Sequence, residues 1–207
     1  MEASNAIYFI TASMALTIAP GPDIIFVITQ SISQGKKAGI ATALGLCSGI
    51  LVHTTAAALG ISAILHQSAI AFQILKYAGA IYLLFLAWKA LKEGEHLLPT
   101  GSVRQYNLLT LYKRGILMNI LNPKVSLFFL AFLPQFVTPK AGDFALQMIL
   151  LGLLFMLQAV AIFTTIAIFS GSIGKKLLGK PKLAKYINLT KAAIFAFIGV
   201  NLAFTSR

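Results

Sequence analysis

Acidic residues are scarce in this chain, with five Asp and Glu against 17 Lys and Arg in 207 residues and a formal net charge of +12. Charge of either sign is thin: charged residues make up 11% and apolar residues 58%, against about 25% and roughly 45–50% in a soluble domain. That balance excludes a soluble globular domain and indicates an integral membrane protein. The basic residues cluster in the gaps between apolar runs, which reads as membrane orientation and not as a nucleic-acid surface. A single cysteine, Cys47, excludes an intramolecular disulfide, a cysteine-only metal cluster and a membrane carrier that passes disulfides between paired cysteines. The three histidines, His53, His66 and His96, lack ligand spacing, and no nucleophile with a base suggests an intramembrane hydrolase. No cofactor and no enzymatic chemistry are therefore expected.

An apolar helix needs roughly 20 residues to cross about 30 Å of hydrocarbon. Six runs meet that length, near 5–33, 39–65, 69–91, 113–137, 144–170 and 186–205, with His66-Gln67-Ser68 dividing the second from the third. No basic region precedes the first run, so it is expected to stay as a span and not to be cleaved as a signal peptide. The stretch 92–112, with Gly94, Pro99, Gly101 and Ser102 among charges, is the one substantial linker. It divides a single transporter domain, 1–207, into halves 1–91 and 113–207.

Counting Lys and Arg in alternate gaps gives 13 on one side, from Lys36 to Lys191, and three on the other, Lys76, Lys140 and Arg207. The positive-inside rule then puts both termini outside the cytoplasm, on the periplasmic side, and the linker in the cytoplasm. Halves of three spans each must enter the membrane in opposite directions, which is the geometry of a 3+3 inverted repeat. Lys37-Ala38-Gly39 and Lys140-Ala141-Gly142 echo one another at related places in the two halves.

Two proline-broken, charged sequences interrupt these apolar runs: Pro20-Gly21-Pro22-Asp23 in the first span and Asn122-Pro123-Lys124 in the fourth. In continuous helices Pro20, Pro22 and Pro123 would leave the carbonyls of Leu16, Ile18 and Asn119 without their usual donors. Freed carbonyls inside a membrane must face protein or line a cavity. Gly21 is expected to add freedom to the break, and the helix restarting at Pro22 to aim its positive end there. A plain structural kink is the competing reading.

The ionisable neighbours favour a site. Lys124 lies 11 residues beyond Lys113, roughly 16 Å at about 1.5 Å per residue, close to the bilayer centre. Asp23 is the only acidic residue well inside a span. A lone charge at that depth costs on the order of 2.5–3.5 kcal/mol, so the two are expected to pair across the repeat interface. A structural ion pair is the bland alternative. Asn119 and Asn122, one turn apart, are placed to cap freed carbonyls or to touch substrate. Gln158 and Gln30 are weaker candidates. Gly45, Gly49 and His53 recur every four residues and share a close-packing face, so His53 faces protein, as a proton relay or a packing histidine.

With these residues in place, the chain resembles the LysE/RhtB family of amino-acid exporters. The resemblance rests on Pro20-Gly21-Pro22-Asp23, the series Gly45, Gly49, His53 and Gly60, and Gly115, Asn119, Asn122-Pro123-Lys124 with Leu133-Pro134-Gln135-Phe136-Val137. Spans five and six match only as apolar helices carrying Gly152 and Gly199. What the resemblance implies is a six-helix inner-membrane carrier exporting amino acids or close derivatives: homoserine, homoserine lactone, threonine, leucine, lysine or arginine. The substrate's ammonium is expected near Asp23 or the freed carbonyls and its carboxylate near Lys124 or the helix N-terminus after Pro22, with a proton as the expected coupling ion in antiport. A channel or facilitator for small polar solutes is the alternative, and a homo-oligomer is compatible with the sequence.

Overall fold

A computed structural model of the chain describes residues 3–19, 21–61, 69–92, 105–137, 142–170 and 181–204, and every regular element among them is helical. The first apolar run forms two helices, α1 (Ala3–Ile18) and α2 (Pro22–Gln34), with axes bent by 55°. α3 (Lys36–Ala56) loosens at its end into a π-helical turn, Ala57–Ile61, and α4 (Ala69–Lys92) follows. The fourth run is also two helices, α5 (Leu108–Ile120) and α6 (Pro123–Leu127), bent by 49°. α6 continues as a π-helical turn, Phe128–Phe132, and a 3-10 turn, Leu133–Phe136. α7 (Phe144–Phe169) and α8 (Pro181–Phe204) complete the chain.

Local chemistry explains these boundaries. Pro22 and Pro123 stand in the first turns of α2 and α6, where a missing N–H costs nothing. Asn107, Asn122 and Asp143 cap α5, α6 and α7 by accepting from Thr110 N at 2.8 Å, Lys124 N at 3.0 Å and Leu146 N at 2.7 Å. The Asn107 cap starts α5 at Leu108, five residues ahead of the expected 113, so the linker is shorter than its charge content suggests. Pro20, the dividing His66-Gln67-Ser68, residues 93–104 of the linker, the Lys140-Ala141 part of the second echo and the basic stretch 171–180 lie outside the described residues.

Among the described residues three helices are long and apolar enough to cross a membrane singly, Lys36–Gly60, Gln73–Lys92 and Phe144–Phe169, and five spans result if each bent pair counts as one. The sixth expected span is α8, and Lys191 is buried within it. Lys76 is likewise buried on α4. Neither lysine belongs in a gap, so the charge count becomes twelve against two, with the bias unchanged.

α3 is the hub. It packs against α2, α5 and α7, while α4 pairs with α8. Small residues set how closely these helices approach, since lipid supplies no hydrophobic force between them. A Cβ on Gly45 would run into the backbone carbonyl of Tyr112, one on Gly49 would lie 2.8 Å from Asn119 Cβ, and one on Gly152 would run into Thr54. Gly60 meets nothing within 4 Å, so packing does not account for it. On the outside, Ile70, Ile74, Tyr77, Ile81, Phe85 and Trp88 expose an apolar face of α4, as a lipid-facing helix does.

Candidate functional site

The two helix breaks face each other. Lys124, on the first turn of α6, is buried and donates through Nζ to the carbonyl oxygens of Leu16 at 3.1 Å and Ala19 at 3.3 Å, both beside the α1–α2 break. Leu16 O is the acceptor that the lack of an N–H on Pro20 leaves without its usual helical donor. In the same direction Asn119, near the end of α5, donates through Nδ2 to Oδ2 of Asp23 at 3.2 Å, at the start of α2. Asp23, Asn119, Asn122 and Lys124 are all buried.

The proline break of the second half is closed by a third helix. Pro123 cannot supply the N–H that would normally reach the Asn119 carbonyl, and that oxygen instead accepts from Asn122 N at 2.9 Å and from His53 Nε2 at 3.0 Å. A carbonyl only accepts, so Nε2 carries the proton. His53 is buried with its ring against Phe129, 5.8 Å between centroids. Gly49, one turn earlier on α3, supplies the close approach of α3 to Asn119.

The expected direct pairing of Asp23 with Lys124 takes a different form. Lys124 spends its contacts on carbonyls and Asp23 on an amide, and the two charges interact without touching. Partial negative charge on two carbonyl oxygens does for the ammonium much of what a carboxylate would do. Two of the three ammonium protons are used, which leaves one for the cavity that Lys124 and Asp23 both line. Asp23 Oδ1 and Asn119 Oδ1 are buried acceptors without a hydrogen bond; Asn122 Nδ2 sits near the Asp23 carboxylate without bonding it.

That cavity is about 10 Å³, room for roughly one water. Its polar walls are Thr17, Asp23, Asn119 and Lys124, and its apolar walls include Ile50, Val125, Phe155 and Phe163. Gly21 sits at its edge in an extended conformation, φ −158°, which any residue adopts. A Cβ there would meet Lys124 Nζ at 3.4 Å, ordinary contact, so conformational freedom is not what glycine contributes.

Sequence inspection did not single out Thr17 or Ser13. Thr17 Oγ1 accepts from Gln158 Nε2 at 2.9 Å and donates to Ser13 O at 2.9 Å. Two hydroxyl residues four apart in the second half of α1 were the available signal, since that spacing puts both on one face. Above the cavity Tyr8, Phe9, Phe128, Phe132, Phe136 and Phe155 form an aromatic cluster with centroid distances of 5.0–6.4 Å.

Residues 14–206, which hold both breaks and the cavity, match the LysE type translocator family. The chain belongs to that family. It is 32% identical over 205 residues to the homoserine/homoserine lactone efflux protein of Salmonella typhimurium strain LT2, covering 95% of this chain and 94% of that protein. The protein of the same name from Salmonella typhi shows the same identity and coverage. An uncharacterized membrane protein of Vibrio cholerae is 28% identical over 197 residues. No solved structure matches. In this LysE-type translocator Asp23, Asn119 and Lys124 of the two broken helices meet at the cavity, with Asn122 of the second break and His53 of the continuous α3 beside them.

Proposed function

We propose that this protein is an inner-membrane exporter of an amino acid or a close derivative, of the homoserine and homoserine lactone class. The observation that carries the reading is the buried convergence of Lys124 and Asp23 from opposite breaks on one cavity. The groups left without partners there are a carboxylate oxygen and an amide oxygen, with one ammonium proton to spare. They suit a zwitterion: its ammonium toward Asp23 Oδ1 and Asn119 Oδ1, its carboxylate toward Lys124 and the first-turn amides of α2. A metal ion would leave the lysine opposed, and a lipid-like solute would leave every polar group unmet. The names of the Salmonella relatives favour the same class.

Export proceeds by alternating access in six spans related as a 3+3 inverted repeat, with both termini in the periplasm. The helix contacts support a twofold relation: α3 meets α7 and α4 meets α8, which are the pairs such an axis would bring onto one another. A cavity of about 10 Å³ is far too small for an amino acid, so it corresponds to the closed state a carrier passes through and a permanently open channel does not have. Asp23 takes up the coupling proton, in antiport against the substrate.

The deciding experiment is a resistance screen: cells that express the protein are challenged with toxic concentrations of individual amino acids, analogues and homoserine lactone. Selective protection against one chemical class, lost with Asp23→Asn, is the expected result. Equal sensitivity with and without the protein across the whole panel would remove the reading.

A further inference from the structure

Thr17 is a second polar wall of the cavity, one that neither charge of a zwitterion uses, and Gln158 stands behind it. Thr17 lines the cavity from α1, and Gln158 reaches Thr17 from α7 through the 2.9 Å bond from Nε2 to Oγ1. That bond fixes the amide: its nitrogen faces Thr17, leaving Oε1 as the remaining atom, and Oε1 is buried with no hydrogen bond. Ser13 Oγ, one turn from Thr17 on the same face, is also buried without a partner. An acceptor and a hydroxyl with nothing to bond, in a membrane interior, are costly to keep. The cost is met only when something polar enters beside them.

The geometry points to Thr17, Gln158 and Ser13 as the subsite that reads the side chain of the exported amino acid and selects one bearing a hydroxyl. This assignment rests on the amino-acid reading above. With the substrate's charged end held between Asp23 and Lys124, its side chain extends from the α2 start toward Thr17 on α1, along a cavity that Phe155 and Phe163 also line. Those rings cover methylenes. A terminal hydroxyl then donates to Gln158 Oε1 and accepts from Ser13 Oγ. An alkyl end of the same shape leaves both unpaired, and sites built to bond a hydroxyl discriminate strongly against analogues that lack it.

The experiment compares L-homoserine with L-norvaline, which replaces the hydroxyl by a methyl, in energised inside-out vesicles containing the wild type, Gln158→Leu or Thr17→Val. The wild type is expected to favour homoserine by tenfold or more. Gln158→Leu should bring the ratio to about one by losing homoserine transport while norvaline transport is kept, and Thr17→Val, which frees the glutamine to turn, should lower it partway. Gln158→Met serves if the leucine variant does not insert. A ratio unchanged in active variants overturns the assignment, as does equal loss of both substrates in all three, which marks a packing role. A wild type that moves neither amino acid refutes the exporter reading itself, a different result from either.

Discussion

Lys124 Nζ lies 3.1 Å from the carbonyl oxygen of Leu16, so the cation of one half of the chain occupies the break of the other. Asn119 donates to Asp23 in the same sense at 3.2 Å, and His53 returns a bond to the Asn119 carbonyl at 3.0 Å. A backbone carbonyl at each break is thereby reached by a side chain from the other half of the sequence. In the proposed alternating-access cycle, separating these groups would expose the carbonyls and the carboxylate to whatever fills the gap.

Replacing the lysine should therefore be worse for the fold than replacing the aspartate. Lys124→Met leaves the carbonyls of Leu16 and Ala19 without this donor, at about 1–3 kcal/mol each. Asp23→Asn keeps both of those bonds and should insert normally, yet lose export. Melting of the detergent-solubilised proteins, followed by size-exclusion chromatography, checks the order. A double variant that melts well above Lys124→Met would mean that direct charge pairing, and not the carbonyls, dominates.

Close helix approach makes a second, contrasting prediction. Gly45→Ala pushes a methyl into the Tyr112 carbonyl, which is backbone and cannot turn aside, so α3 and α5 must separate. A loss on the order of 1–3 kcal/mol is expected, the usual cost of overpacking. Gly60→Ala adds a methyl where nothing lies within 4 Å and should be close to neutral. Equal melting of the two variants would contradict the packing described for α3.

Much of this was legible in the residues. Proline chemistry identified Leu16, Ile18 and Asn119 as acceptors in need of donors, and Leu16 and Asn119 each receive one from a side chain distant in sequence. The identity of the donors was not legible. Charge rules paired Lys124 with Asp23, because residue types carry formal charges in the sequence while backbone dipoles appear only once the helix is broken. Thr17 escaped notice because a hydroxyl in an apolar helix ordinarily bonds its own backbone, as Thr17 does with Ser13. The buried Lys76 and Lys191 misled the gap count, since a span's end cannot be located from a lysine that faces protein.

Orientation is open to a direct check. The twelve-to-two bias that remains after Lys76 and Lys191 are set aside predicts a cytoplasmic linker after α4 and a periplasmic C-terminus. A cytoplasm-only reporter fused after Leu91 should be active, and the same reporter fused after Arg207 inactive. Activity at Arg207 would give the halves the same direction and end the inverted-repeat proposal.

The proposed coupling starts from where the acid sits. Asp23 is the only buried carboxylate among the described residues and keeps one oxygen unbonded, so in the proposed mechanism a proton and a substrate ammonium compete for the same atom. Competition of that kind is what antiport requires: the site releases one before it takes the other. In inside-out vesicles with an acidic lumen, accumulation of the exported amino acid should saturate with concentration and rise with the imposed gradient. An uncoupler should abolish accumulation and leave slow exchange, because exchange needs no net proton movement. Asp23→Asn should lose the gradient dependence altogether. If the wild type accumulates substrate equally with the gradient collapsed and no other ion gradient present, Asp23 is not a coupling carboxylate.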